Sequence, residues 1–139
     1  MTEVIADYTD FDYKTKFWGN EFREYEDKCD RLALQRLLPK SGEKIADICG
    51  GFGRLVSEYL GKFDKIYLFD YAQNLLDQAK KEYQDKIIIN QGTADKLPYQ
   101  NGEMDVCVFV RASHHFKDIN LVLKELSRVL KTSGKLIIE

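Results

Sequence analysis

The sequence predicts a doubly wound α/β protein, in which a parallel sheet carries helices on both faces. Five short, mostly apolar runs alternate along the chain with segments whose apolar residues recur at helical spacing. Strands that alternate with helices are joined by right-handed crossovers and form a parallel sheet. In addition, glycines and polar residues follow the ends of successive strands, which is where open parallel sheets bind their ligands.

The 139 residues suit one domain, residues 1–139, with three parts. Residues 1–20 are polar with aromatic interruptions, so they are either a frayed tail or an aromatic lid over a pocket. Residues 21–38 are predicted to form an amphipathic helix, because apolar residues recur in steps of three and four before Pro39. The α/β core occupies residues 44–139. The apolar positions of the leading helix are Phe22, Tyr25, Cys29, Leu32, Ala33 and Leu37.

The first half of the core contains two strands and two helices. Residues 44–49 form a short buried strand, and a glycine cluster separates it from a helix over 54–60. Residues 65–70 form a second strand that ends in an acid, and a helix over 72–83 follows. The residues predicted to face inward on these two helices are Leu55, Val56, Tyr59 and Leu60, then Leu75, Leu76, Ala79 and Tyr83.

The second half contains one helix and the remaining strands, at 86–90, 105–110 and 135–138. The run at 105–110 is almost continuously apolar, which suits a strand covered on both faces. Asp118 or Asn120 caps a helix that reaches Leu130, and Ser133-Gly134 then turns the chain into the last strand.

The composition disfavours several kinds of partner and site. The net charge is −2 and no run of Lys or Arg could track a phosphate backbone, so we expect no nucleic-acid partner. No apolar run approaches the ~20 residues that span a bilayer, and the N-terminus lacks the apolar region of a signal peptide, so we expect no membrane insertion. The three cysteines are widely spaced and form no CxxC pair, so we expect neither a disulfide nor a metal site. This use of cysteine predicts a cytoplasmic location.

The glycine cluster and Asp70 predict a nucleoside-binding edge. Glycines let a ligand approach the backbone, and the N–H groups of a following helix favour an anion; alternatively, the turn only packs strand against helix. Asp70 stands 19 residues after Gly51, where an acid can accept both hydroxyls of a ribose, although it could instead cap the next helix. A dinucleotide fingerprint needs a third glycine where this chain has Val56, which disfavours a pyrophosphate ligand.

Four groups of residues lie at this edge: Asp47-Ile48-Cys49-Gly50-Gly51-Phe52-Gly53, Asp70-Tyr71, Ala94-Asp95 with Leu97-Pro98, and His114-His115-Phe116. As a set, over residues 44–139, they resemble the class I S-adenosylmethionine-dependent methyltransferases of methyltransferase type 11, the ubiquinone/menaquinone-biosynthesis-like type. In the first group Cys49 replaces the family's first glycine. The resemblance implies a Rossmann-like sheet of strand order 3-2-1-4-5 and S-adenosylmethionine as cofactor.

The resemblance also implies roles for individual residues. Asp70 would bind the ribose, Tyr71 would pack on the adenine, and Asp95 would receive the adenine amino group. Two candidates come from the residues themselves: Trp18 would close over the cofactor with Tyr13, and Arg111 would bind an acidic acceptor unless it is solvated. The expected cofactor-binding residues are Asp47, Cys49, Gly50, Gly51, Gly53, Asp70, Tyr71, Ala94, Asp95, Leu97, Arg111 and Trp18.

The family fold has seven strands, whereas this sequence stops at strand five. We therefore expect either a fragment or an unusually small member of the family, truncated relative to the seven-stranded fold. In both cases strand five would be an exposed apolar edge that favours self-association.

The sequence thus predicts methyl transfer from S-adenosylmethionine to a small-molecule acceptor. His114 or His115 is the candidate base if the acceptor must lose a proton; alternatively, both only line the loop or cap the next helix. One competing hypothesis is a non-catalytic fragment of a larger methyltransferase that binds S-adenosylmethionine or S-adenosylhomocysteine. The other is an NAD-dependent oxidoreductase.

Overall fold

The structure is a computed structural model that describes residues 9–139. The first eight residues of the predicted tail or lid, including Tyr8, lie outside the described residues. The strands are β1 Gly42–Ile48, β2 Phe63–Asp70, β3 Ile88–Gln91, β4 Met104–Phe109 and β5 Leu130–Ile138. The helices are α1 Tyr13–Lys16, α2 Glu21–Leu37, α3 Gln73–Tyr83 and α4 Ile119–Val129. All strand pairs are parallel, in the order β3-β2-β1-β4-β5, which confirms the predicted fold class and strand order.

The sheet is covered on both faces, which explains the almost continuous apolar runs of its strands. Neighbouring residues of β1 enter different cores: Ile45 packs with α2 and α3, whereas Ala46 packs with α4. Both side chains are completely buried. The predicted run of β4 behaves in the same way, since Val106 lies in the first core and Cys107 in the second.

The long helices begin and end where local sequence signals place them. The Asn20 side chain caps α2 by accepting a hydrogen bond from Arg23 N at 3.2 Å. The helix ends before Leu38, which is extended because Pro39 follows it. Of the two predicted caps of α4, Asp118 is the one that accepts, from Asn120 N at 3.0 Å.

The prediction of an α-helix over 54–60 is wrong, because only Val56–Glu58 is helical and these residues form a 3₁₀ turn. Its hydrogen bonds join residues three apart, such as Tyr59 N to Val56 O at 2.9 Å. Leu55 and Tyr59 are nevertheless buried, as the pattern predicted. The buried Tyr59 hydroxyl donates to Asp47 of β1 at 3.0 Å, so this bond anchors the short turn on the sheet.

The described part of residues 1–20 has local structure, although the sequence shows no helical period there. Within the described part, Tyr13–Lys16 form the short helix α1, and the Asp12 side chain accepts from Thr15 N at 3.2 Å. The Tyr13 ring stacks on Phe17 at 4.8 Å between centroids. This segment therefore has local structure that apolar periodicity does not reveal.

Helix α2 has an unusual orientation relative to the core. Its apolar stripe predicted the helix and would ordinarily meet the core, yet it faces solvent. The helix packs instead through Leu34 and through charged residues such as Asp30, both of which are buried. The exposed stripe comprises Phe22, Tyr25, Cys29, Leu32, Ala33 and Leu37.

Strand β5 begins earlier than predicted and contains an irregularity. Met104 pairs with Leu130 but Val106 pairs with Lys135, so residues 131–134 bulge out opposite a single residue of β4. The predicted turn at Ser133-Gly134 lies within this bulge. Among residues 9–139, β5 is an edge of the sheet, and Ile138 is exposed there. No helix in this described range is long and apolar enough to cross a membrane.

Candidate functional site

A cleft of about 940 Å³, counted to its open mouth, lies at the carboxyl ends of β1, β2 and β4. Most of the residues that the sequence predicted for the site line this cleft: Trp18, Asp47, Cys49, Gly50, Gly51, Asp70, Tyr71, Ala94, Arg111 and His115. The edge at which parallel strands end therefore brings together side chains that are far apart in the sequence.

Four predicted site residues do not line this cleft. A side chain at Gly53 would point towards Tyr83 and Ala79 of α3. Leu97 is a core residue, and His114 lines a neighbouring cleft with Arg23 and Glu139. Asp95 is half-buried beside the cleft-lining Ala94.

The glycine turn leaves open space above its backbone. Gly51 has a φ of +57°, and a Cβ there would meet nothing closer than Leu75 Cδ1 at 3.5 Å. At Gly50, by contrast, a Cβ would collide with Leu68 Cδ1 and would lie 2.7 Å from Asp47 Cγ. Cys49 has a φ of +60°, so the residue that replaces a glycine adopts the left-handed conformation that glycine favours.

Asp70 connects the end of β2 to the glycine turn. One carboxylate oxygen accepts from Gly51 N at 2.8 Å and the other from Ala72 N at 2.9 Å. Burial raises the pKa of Asp70, and these backbone N–H groups lower it in part. Asp70 therefore joins the glycine turn to Ala72, the residue before α3, and it also lines the cleft; no side chain caps the helix itself.

Asp47 lies beneath the same turn and is almost completely buried. Burial raises its pKa to about 7, and the charge of Asp70 raises it too, whereas the Tyr59 hydroxyl and the Arg54 charge lower it. A carboxyl with such a pKa changes charge near neutral pH. A cation bound next to it in the cleft would stabilise the charged form.

The side of the cleft nearest α2 is closed by a cluster of charged and aromatic side chains. The buried Asp30 carboxylate accepts from Arg54 at 2.8 Å and from two nitrogens of Arg111, at 2.8 and 3.2 Å. Trp18 covers the Arg54 guanidinium at 3.8 Å from the ring centroid. Two arginines from separate loops are thus held at the cleft by one acid of α2.

The opposite side of the cleft is formed by the loop after β3, which α4 holds in place. Arg128 donates to Tyr99 O at 2.8 Å and to Leu97 O at 3.1 Å. Glu125 accepts from Leu97 N at 2.7 Å and binds Arg128 at the same distance. This clamp immobilises the backbone next to Ala94.

The two histidines have different environments. His115 lines the cleft. Its pKa is lowered mainly by burial and to a lesser degree by the neighbouring His114. The two rings lie 4.0 Å apart. His115 is therefore neutral at physiological pH and can accept a proton, whereas His114 lies outside the cleft. Within residues 9–139, no group of three His, Cys, Asp or Glu side chains could hold a metal ion.

Sequence reasoning missed part of the lining. Arg54 follows the glycine turn directly, and its adjacency to the motif was the available signal. Nothing in the sequence links it to Asp30, which precedes it by 24 residues. The other missed residues are apolar or small and carry no pattern of their own: Leu55, Ala72, Leu75, Gly92, Thr93, Val110 and Ala112.

The chain resembles known proteins in sequence and in structure. The family model described as "Methyltransferase domain" matches residues 46–138. A demethylmenaquinone methyltransferase of Oceanobacillus iheyensis is 31% identical over 112 residues, which cover 75% of this chain and 47% of that protein. A demethylmenaquinone methyltransferase of Lactococcus lactis is 32% identical over 111 residues, with coverages of 75% and 44%.

The fold likeness extends to solved structures. The YcgJ protein of Bacillus subtilis superposes with a TM-score of 0.75 at 22% identity, over 80% of this chain and 50% of that one. The chain spans about half the length of the curated relatives it matches. Together with the glycine turn and the acids that flank it, these matches place the chain among the class I S-adenosylmethionine-dependent methyltransferases, whose cofactor is S-adenosylmethionine.

Proposed function

We propose that this chain binds S-adenosylmethionine in the cleft and that its protein transfers the methyl group to a small-molecule acceptor. One observation carries the proposal: Asp47 and Asp70 line the same cleft, on either side of the Gly50-Gly51 turn. The two residues belong to neighbouring strands. The cofactor has an ammonium group at one end and ribose hydroxyls at the other. Two carboxylates at the two ends of the turn suit such a ligand.

The residues of the cleft divide the binding between them. Asp47 would attract the ammonium group, and the free lone pairs of Asp70 would accept the ribose hydroxyls. Tyr71 and Ala94 would contact the base. The absence of a side chain at Gly51 allows a ligand to reach the backbone, which supports the fit of the cofactor.

The chemistry needs little from the protein beyond orientation. When bound, the cofactor supplies an electrophilic methyl group on a sulfonium. Holding an acceptor in line with that group would contribute about 7–11 kcal/mol of the barrier reduction. His115, neutral and lining the cleft beside Phe116, would take a proton from an acceptor that must lose one.

Calorimetric titration tests the cofactor. We expect S-adenosylmethionine and S-adenosylhomocysteine to bind and NAD not to bind. Binding of NAD alone would instead indicate the oxidoreductase. Methyl release in the presence of a panel of small-molecule acceptors then separates a transferase from a non-catalytic fragment that binds the cofactor.

The role of Asp70 needs a matched comparison, because this residue also holds the glycine turn. We expect Asp70→Ala to weaken S-adenosylhomocysteine binding at least tenfold, or ~1.4 kcal/mol. If Asp70 binds the ribose, the loss will be much smaller for an analogue that lacks both ribose hydroxyls. An equal loss for both ligands would assign the effect to the collapse of the turn. An unchanged affinity in a folded variant would remove Asp70 from the site.

A further inference from the structure

The proposed cofactor site gives no role to the outer face of α2. Phe22 is 89% exposed and Tyr25 is 75% exposed, and Leu32 and Leu37 are 50% and 49% exposed. Exposed Cys29 lies between them on the same face. Monomeric soluble proteins seldom leave so many neighbouring apolar side chains in water.

We propose that this face binds a second copy of the chain, with the two α2 helices packed antiparallel about a two-fold axis near Cys29. The stripe runs from Phe22 to Leu37, and Cys29 lies near its middle. A two-fold axis there lays the stripe of one helix along the stripe of the other in the opposite direction. Tyr25 of one copy then faces Ala33 of the second copy.

The exposed area matches what a small specific interface requires. Phe22 and Tyr25 each present well over half of the roughly 200 Å² of an aromatic side chain, and Leu32 and Leu37 add to this. Burying the stripe on both copies would remove about 1,000 Å² from water, which is the lower limit for specific interfaces. The dimer would therefore be reversible and would depend on concentration.

The charges along the helix select the antiparallel arrangement. Residues 21–30 carry five acids and two bases, whereas residues 31–40 carry three bases and no acid. Among the exposed charges, Glu21 lies at the first end of the helix and Arg36 at the last. Antiparallel packing places Arg36 of one copy beside Glu21 of the other, whereas parallel packing would bring like charges together.

Sedimentation velocity over a dilution series tests the interface directly. We expect a monomer–dimer equilibrium in which Arg36→Glu raises the dissociation constant by about tenfold or more. Adding Glu21→Arg to that variant restores an opposite-charge pair and should recover the dimer. Lys81→Glu, the same charge change on the exposed side of α3, should leave the equilibrium unchanged.

Cross-linking tests the position of the axis. Cys29 is exposed, whereas Cys49 is half-buried and Cys107 is buried. A short bismaleimide should therefore join two copies through Cys29, and Cys29→Ser should abolish the product. A monomer at every concentration would overturn the proposal. So would a dimer that resists Arg36→Glu but is lost with Ile138→Lys, because that dimer would use the β5 edge.

Discussion

Replacing Asp47 by asparagine would show whether a carboxyl that resists ionisation lies beneath the glycine turn. Burial raises the pKa of Asp47 from an ordinary value of 3.8 to about 7 in the folded chain. That difference corresponds to about 4 kcal/mol of free energy. The introduced asparagine side chain is nearly isosteric with that of Asp47 and could still accept the hydrogen bond of Tyr59, but it cannot ionise.

The sign of the effect follows from proton binding. Because the pKa of Asp47 is higher in the folded chain, the folded state binds more protons than the unfolded state between about pH 4 and pH 7. The contribution of Asp47 to stability therefore decreases as the pH rises through this window. We expect the stability of Asp47→Asn relative to wild type to increase by about 3 kcal/mol between about pH 5 and pH 8.5.

Urea denaturation followed by far-UV circular dichroism at several pH values measures this difference. Any effect of the amide group that does not depend on pH cancels when the two proteins are compared across pH. Tyr59→Phe is the matched control, because it removes the hydroxyl that lowers the pKa of Asp47 and should move the transition to higher pH. Stability curves of wild type and Asp47→Asn that run parallel from pH 5 to pH 8.5 would refute a raised pKa.

Three other substitutions have definite expected outcomes. Gly50→Ala should cost about 1–3 kcal/mol in urea denaturation, because its Cβ would collide with Leu68; a smaller cost would mean that the turn can shift. Cys49→Gly should change stability by less than about 0.5 kcal/mol, whereas Cys49→Val should cost about 2 kcal/mol, because a β-branched residue resists the left-handed conformation. Trp18→Ala should weaken S-adenosylhomocysteine binding about fivefold in calorimetry by uncovering Arg54, and an unchanged affinity would exclude a covering role for Trp18.

The strands were predictable because consecutive apolar residues indicate their burial. A strand covered on both faces must be apolar at almost every position, and the run at 105–110 meets that requirement. The direction of α2 was not predictable in this way. It depends on Asp30, whose partners Arg54 and Arg111 lie 24 and 81 residues away, and no periodicity records such a distant pair.

The site was predictable where strand topology alone places the residues. Asp47 and Asp70 end neighbouring parallel strands, so the sheet must bring them to one edge. The hydrogen bond from Gly51 to Asp70 was not predictable, because it depends on how the turn folds back over β2. The same holds for the 3₁₀ turn at 56–58: burial of Leu55 and Tyr59 is compatible with either helix type, and only the hydrogen bonds distinguish them.

The clamp between α4 and the loop after β3 fixes the main chain of one wall of the cleft. Arg128 and Glu125 grip main-chain atoms of Leu97 and Tyr99, so they do not depend on which side chains the loop carries. The half-exposed side chains of Thr93 and Asp95 can therefore differ while the main chain of the loop keeps its contour, whereas the buried Ala94 cannot. Conversely, loss of Arg128 would loosen a wall of the cleft from α4, a helix that contributes no residue to the cleft lining.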